Sequence, residues 1–232
     1  MKLFVLDIET SDLDPTRGAN ILEIAWVELT RASEAVAWEQ TFQVEQRIQF
    51  TGNISPHAQA VHHITKEELT AERGAVTRSD AIKMLQGCIE PDSYLVAHNA
   101  EFDSKFLPEL HNPWICTMRS ARHLWPNAPG YGNQVLRYWL KLEIDIPNRF
   151  PHQALYDTIT TKQILLKLLE LKTPAELMWY SSAPVKLKTL RYGKHKGIPI
   201  EQVPVDYITW LSSKQDLDMD TRYTLDSIMK MR

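Results

Sequence analysis

The pattern of apolar and polar residues predicts three β-strands near the start of the chain. Apolar and β-branched side chains fill Leu3–Glu9, Ile21–Leu29 and Val36–Val44, and the two connections are short enough for an antiparallel meander. The first strand is apolar on both faces until Asp7, which is typical of a strand in the centre of a sheet.

Helical and strand patterns alternate after this meander. Apolar positions three and four residues apart predict a helix over Thr77–Ile89. The next predicted elements are a strand, a helix, a strand and three helices: Tyr94–Ala97, Glu101–Leu110, Trp114–Cys116, Met118–Leu124, Asn133–Leu140 and Ala154–Leu171. This order indicates the α/β class, with a mixed sheet of antiparallel and parallel strands flanked by helices.

The composition divides the chain near residues 181–184, a stretch of small residues that is typical of a linker. The whole chain has 26 basic and 29 acidic side chains, whereas the last 52 residues have nine basic and six acidic ones. We therefore expect one domain over residues 1–180 and a small basic domain over residues 185–232.

The basic domain is predicted to expose a loop of cations. Residues 186–196 carry five basic side chains and no acid, and two glycines bracket 194–196 as a turn between short strands. Helices over 205–212 and 220–229 would complete a small α+β extension. Cations near aromatic residues suit contact with nucleic acid, and an ordinary solvated loop is the alternative. The candidate contacts are Arg191, Lys194 and Lys196.

Composition excludes several classes of function. The eight glycines form neither the Rossmann nor the P-loop pattern, and a net charge of −3 argues against binding nucleic acid by bulk positive charge. Two cysteines are too few for a disulfide framework or a four-cysteine zinc site, so we expect a reducing, cytoplasmic location. We expect no signal peptide and no membrane partner, since no apolar run approaches the ~18–20 residues of a membrane span.

The candidate chemistry lies in three acidic clusters, the first at the end of the first strand. Asp7 and Glu9 share one face there, because side chains alternate along a strand. Neighbouring carboxylates resist burial unless a cation neutralises them. The alternative is a strand that simply ends in solvent.

The other two clusters lie at predicted helix starts. Asp103 falls in the first turns of a helix that follows a strand, where Asn99 is a candidate N-cap. Pro151 favours a helix that begins there, which leaves His152 at the entrance and Asp157 on the helix. A fixed carboxylate beside a mobile imidazole suits a metal ligand and a general base. A surface histidine and an aspartate favoured by the helix dipole are the alternatives.

The clusters together suit a site for two Mg²⁺ ions, because four carboxylates supply the oxygen ligands that hard cations prefer. Their motifs occur in the order seen in the DEDDh 3′→5′ exonucleases, and the chain resembles that superfamily over residues 1–172. The motifs are Asp-x-Glu-Thr at 7–10, His-Asn-Ala-x-Phe-Asp at 98–103 and His-x-Ala-x-x-Asp at 152–157. Within the superfamily, the chain most resembles the exonuclease X group, over the stretches 55–60, 61–65, 114–118 and 121–126.

The resemblance implies an RNase H-like fold and a complete catalytic set. Asp7, Glu9, Asp103 and Asp157 would ligate two Mg²⁺ ions, for which Mn²⁺ would substitute, and His152 would act as the general base. The products would be nucleoside 5′-monophosphates.

The resemblance also implies contacts with the terminal nucleotide. The candidates are Thr10, Leu13, Val61, His62, Asn99 and Phe102. Leu13 can wedge under a terminal base pair and Phe102 can stack on a base, although a core position is an equal alternative for both.

We expect a 3′→5′ exodeoxyribonuclease that acts on single-stranded or duplex DNA 3′ ends in repair or end trimming. One alternative is an exoribonuclease of the RNase T or oligoribonuclease type, acting on RNA. The other is a non-catalytic, polymerase-associated module that binds nucleic acid. The sequence leaves open whether the protein is a homodimer.

Overall fold

The computed structural model describes residues 1–33 and 35–231. Glu34, in the predicted second connection of the meander, and Arg232, at the end of the predicted basic domain, lie outside the described residues. The chain divides into two compact units, Met1–Ser181 and Ser182–Arg232.

A five-stranded mixed sheet forms the centre of the first unit. Its strands in chain order are β1 (Leu3–Thr10), β2 (Ile21–Thr30), β3 (Glu39–Arg47), β4 (Tyr94–Ala97) and β5 (Trp114–Cys116). The spatial order is β3-β2-β1-β4-β5, with antiparallel pairing along the meander and parallel pairing of β1 with β4 and of β4 with β5. The predicted mixed sheet and the central place of the first strand are confirmed.

The third strand is displaced from its predicted position. It runs over Glu39–Arg47 and not over Val36–Val44, and its first five side chains are exposed. Because β3 lies at the edge of the sheet, its first and last residues are determined by hydrogen bonding to β2. The apolar residues from which the strand was predicted do not determine them.

Helices cover both faces of this sheet. They are α1 (Pro56–His62), α2 (Arg78–Cys88), α3 (Ala100–Phe106), α4 (Thr117–Leu124), α5 (Asn133–Trp139), α6 (Ala154–Leu169) and α7 (Pro174–Ser182), of which α1 and α7 were not predicted. No described helix combines the length and the apolarity that crossing a membrane requires.

The central strand supplies both layers of the core. Phe4 and Leu6 are fully buried against side chains of α2 and α3, such as Leu85, whereas Leu3 and Val5 on the opposite face are fully buried against α6 and its neighbours. Burial of each such side chain stabilises the fold by about 1.5–3 kcal/mol. The end of β1 is therefore held rigidly where its two carboxylates emerge.

The second unit is a small helical cluster around an irregular N-terminal segment. Helices α8 (Val205–Ser212) and α9 (Met219–Met231) follow that segment. The core side chains are Leu190, Ile200, Val203, Ile208, Leu211 and Leu225. The predicted turn is present, but the predicted flanking strands are wrong: the described residues there form a single antiparallel bridge, Thr189 to Pro199. A proline has no amide hydrogen to extend such a ladder.

Candidate active site

Three carboxylates from two distant parts of the chain meet at the end of β1. Asp7 and Glu9 come from this strand, and Asp157 comes from the first turn of α6. One carboxylate oxygen from each lies within 4.8 Å of the others. An all-oxygen group of this size fits a hard divalent cation.

Asp103, the fourth predicted ligand, lies on α3 outside this 4.8 Å group. Asp103 is buried, and it lies close enough to the cluster for its charge to raise the pKa of Asp7. Burial raises the pKa of Asp103 itself to about 8, opposed by its own backbone amide and that of Ile8. The structure thus brings the four predicted carboxylates into one acidic region, with three of them in closer contact.

Burial and like charge make this region unfavourable for anions. Burial, followed by the charges of Asp157, Glu23 and Asp103, raises the pKa of Glu9 to about 8. Burial and the neighbouring carboxylates raise the pKa of Asp7 well above its usual range. A bound divalent cation would reverse this balance, because it favours the ionised form of each ligand.

Asp157 is oriented by a hydrogen bond to each of its carboxylate oxygens. The Gln134 side-chain amide on α5 donates to Oδ1 at 3.1 Å, and the backbone amide of His152 donates to Oδ2 at 2.9 Å. Sequence reasoning missed Gln134, because a glutamine on a helix carries no signal of its partner.

Helix α6 begins at Ala154, as its apolar pattern predicts, and the separate expectation that the helix begins at Pro151 is wrong. The chain turns before the helix, and His152 adopts a left-handed backbone with φ of 67°. This turn aims the His152 amide at Asp157, whereas the imidazole is 56% exposed with Nδ1 3.9 Å from Asp157 Oδ2. His152 therefore precedes the helix, as expected, but because of this turn and not because the helix begins at Pro151.

Glu23 is a further buried acid that sequence reasoning missed. It lies on β2 directly opposite Glu9, and its side chain is 1% exposed. Its Oε2 accepts a 2.9 Å hydrogen bond from the backbone amide of Ala154, the first residue of α6, and its Oε1 lies 3.5 Å from Arg47 Nε. Glu23 therefore joins the start of α6 to the sheet. The available signal was a glutamate flanked by Leu22 and Ile24 in an otherwise apolar part of the strand.

A cavity of about 440 Å³ opens beside Glu9. Five of the six predicted substrate contacts line it: Thr10, Leu13, Val61, His62 and Phe102. His57 and Ala58 of the unpredicted helix α1 line it as well. Asn99 is not among the lining residues; it precedes α3 with φ of 73° and makes no side-chain capping bond.

The side chains of this cavity differ in how firmly they are held. His62 is buried, and its Nδ1 accepts the Ile64 amide at 2.9 Å. Phe102 is half-buried against Phe106, with 5.1 Å between ring centroids. Leu13 is 77% exposed, so the core alternative for this residue is wrong.

The predicted contacts of the second unit fall into two groups. Arg191 Nη2 lies 3.1 Å from Oδ2 of the buried Asp220, so its guanidinium is engaged within the unit. Lys194 and Lys196 are exposed on the turn.

Comparisons with known proteins identify the family of the chain. The RNase T exonuclease family model matches residues 4–165. Exodeoxyribonuclease 10 of Escherichia coli K12 is 34% identical over 179 residues, which cover 74% of this chain and 78% of that protein.

Two solved structures extend the agreement to the fold. Exonuclease X in complex with 5′ overhanging duplex DNA matches with a TM-score of 0.63 and 29% identity, covering 78% of this chain and 99% of that chain. The nuclease domain of 3′hExo, a DEDDh family member bound to rAMP, has a TM-score of 0.57 and 18% identity, covering 73% of this chain and 92% of that chain. These matches confirm the predicted RNase H-like fold. The chain belongs to the RNase T exonuclease family, in its DEDDh type.

Proposed function

We propose that the protein is a 3′→5′ exodeoxyribonuclease that releases nucleoside 5′-monophosphates from DNA 3′ ends. The observation that carries this proposal is the junction of the buried carboxylates with the cavity beside Glu9. The carboxylates suit metal-assisted phosphodiester hydrolysis, and the cavity has room for one terminal nucleotide. We infer a cytoplasmic role in DNA repair or end trimming.

The carboxylates would hold two Mg²⁺ ions, with Mn²⁺ as a substitute. Asp7, Glu9 and Asp157 offer the closest set of oxygens, and Asp103 adds a fourth carboxylate. When bound, such a pair of ions stabilises charge on the attacking and leaving oxygens of an in-line displacement at phosphorus.

His152 is placed to accept a proton from the attacking water. Its imidazole is exposed beside the cluster, and the nearby Asp157 carboxylate stabilises the imidazolium that proton transfer creates. Histidine is the side chain best suited to exchange protons near neutral pH. The left-handed turn at this residue leaves the ring outside the helix, where it can move.

The cavity would position the terminal nucleotide. Thr10, Val61 and His62 form part of its wall, and the firmly held His62 gives that wall a fixed shape. The exposed Leu13 offers an apolar edge and Phe102 a ring face for the terminal base. Asn99 has no part in this proposal.

DNA is the favoured substrate because of two relatives. One carries the name exodeoxyribonuclease, and the exonuclease X structure holds a DNA duplex with a 5′ overhang. A duplex with a 5′ overhang has a recessed 3′ end, which is the kind of end that the proposed reaction needs. An exoribonuclease and a non-catalytic binding module are the outcomes that would replace this proposal.

The direct test is a digestion ladder on matched single-stranded DNA, duplex DNA and RNA labelled at the 5′ end. With Mg²⁺ we expect ladders of products shortened one nucleotide at a time from the 3′ end of DNA. Asp7→Ala should abolish them, because the closest group of oxygens is broken. Faster digestion of RNA would make the protein an exoribonuclease, and no digestion would leave a binding module.

His152→Ala should lower kcat by about 10²–10⁴-fold, the usual contribution of a general base. The dependence of the residual rate on Mg²⁺ concentration should stay as in the wild type, because the carboxylates are intact. His111→Ala, which removes another exposed histidine, is the matched control. An unchanged kcat for His152→Ala would remove the assigned role.

Glu23→Ala should lower kcat on the order of 10–100-fold, because the Ala154 amide is left without its acceptor and the start of α6 shifts. Glu23→Gln should recover most of the rate, since its amide oxygen can still accept that hydrogen bond. Glu28→Ala, on the same strand, is the control: it removes an ion pair with Lys2 and should leave kcat unchanged. Wild-type kcat in Glu23→Ala would show that Glu23 does not position the site.

A further inference from the structure

The second unit has an open cavity of about 390 Å³ in which cations and aromatic rings meet. It lies between the basic turn and the start of α8. Its lining consists of Lys194, His195, Pro204, Asp206, Tyr207 and Trp210. The proposed exonuclease reaction uses none of these side chains.

The aromatic wall of this cavity is built by close packing against the turn. Gly193 has φ of 79°, and a Cβ at that position would overlap with the Tyr207 hydroxyl. Glycine therefore allows the turn to close onto Tyr207. The His195 ring meets Tyr207 edge-on with centroids 4.6 Å apart, and Tyr207 lies 5.2 Å from Trp210. The rings thus form one fixed surface.

Positive charge surrounds this aromatic wall. Lys194 and Lys196 are exposed, and neither forms an ion pair with another residue in the described part of the chain. The Lys214 ammonium lies 4.5 Å from the centroid of Trp210, whose side chain remains 51% exposed. Asp206 is the acidic residue of the lining, and its Oδ1 accepts the Tyr207 amide at 2.9 Å. The last 52 residues together carry nine basic and six acidic side chains.

We propose that this cavity binds a base of single-stranded nucleic acid. The base would stack on Trp210 and Tyr207, and the adjoining phosphates would contact the lysines. Cations alone would attract a duplex equally well, but a ring-lined cavity needs a base that is not stacked on its neighbours. The choice of nucleic acid as the ligand rests on the proposed function, because an exonuclease must hold the strand that it shortens.

The test measures binding of the full chain to a fluorescent single-stranded DNA and to a blunt duplex of the same length, with a chelator present. Trp210→Ala should weaken single-strand binding about tenfold, because stacking on one base contributes about 1–3 kcal/mol. Duplex binding should change less than twofold, and Trp210→Phe should retain most of the single-strand affinity. Trp179→Ala, which removes another exposed tryptophan, is the matched control.

The lysines are tested by the dependence of single-strand affinity on salt. The double variant Lys194→Ala, Lys196→Ala should reduce the slope of log K against log salt by about 0.7 for each phosphate that is no longer neutralised. Lys230→Ala on α9 is the control. It also removes one positive charge from the same unit, and it should leave the slope unchanged because Lys230 does not line the cavity. A slope change per lysine that is the same in Lys230→Ala as in the double variant would mean that only net charge matters, which overturns the proposal.

Binding in the chelator separates this proposal from the proposed activity. Equal affinity of Trp210→Ala and wild type for the single strand, or equal weakening on single strand and duplex, would overturn the base-binding cavity even if the enzyme degrades DNA. A selective effect on the single strand in an inactive protein would support the cavity and reject the activity. Melting curves establish whether each variant is folded. If Trp210→Ala does not fold, the lysine variants still test the proposal.

Discussion

The burial of neighbouring carboxylates at the end of β1 is the constraint on which the rest of the structure depends. Glu9 and Asp103 have pKa values raised to about 8, chiefly because burial removes the water that would stabilise their charge. A protein gains no stability from such a group by itself. The group makes physical sense as a preformed site for divalent cations, which members of this exonuclease family generally use.

The fold maintains this unfavourable group by anchoring each member on a buried element. The central strand β1 is covered on both faces, so Asp7 and Glu9 have fixed positions. Helix α6 is tied to the sheet by Glu23, and hydrogen bonds hold both oxygens of Asp157. Stability elsewhere in the first unit thus offsets local repulsion, as is common where a site is organised in advance of its ligand.

Much of this could be predicted from the sequence, because apolar periodicity and motif order report on long, buried elements. The central strand and the helix carrying Asp157 were predicted for that reason. Features set by contacts with other elements were not predicted. The limits of edge strand β3 follow from its pairing with β2, and the left-handed turn at His152 was not expected because Pro151 favours a helix that begins there. Glu23 was missed because its partner is a backbone amide 131 residues away.

The central claim is tested most directly by thermal melting of the wild type and Asp7→Asn, each with a chelator or with Mg²⁺ at matched ionic strength. In chelator at neutral pH, Asp7→Asn should melt at a higher temperature than the wild type. Folding of the wild type must either keep the Asp7 charge among the other carboxylates or bind a proton there, and an amide requires neither. Mg²⁺ should raise the Tm of the wild type by binding only its folded state, and that of Asp7→Asn much less. A lower Tm for Asp7→Asn in chelator, with no effect of Mg²⁺ on the wild type, would contradict the account.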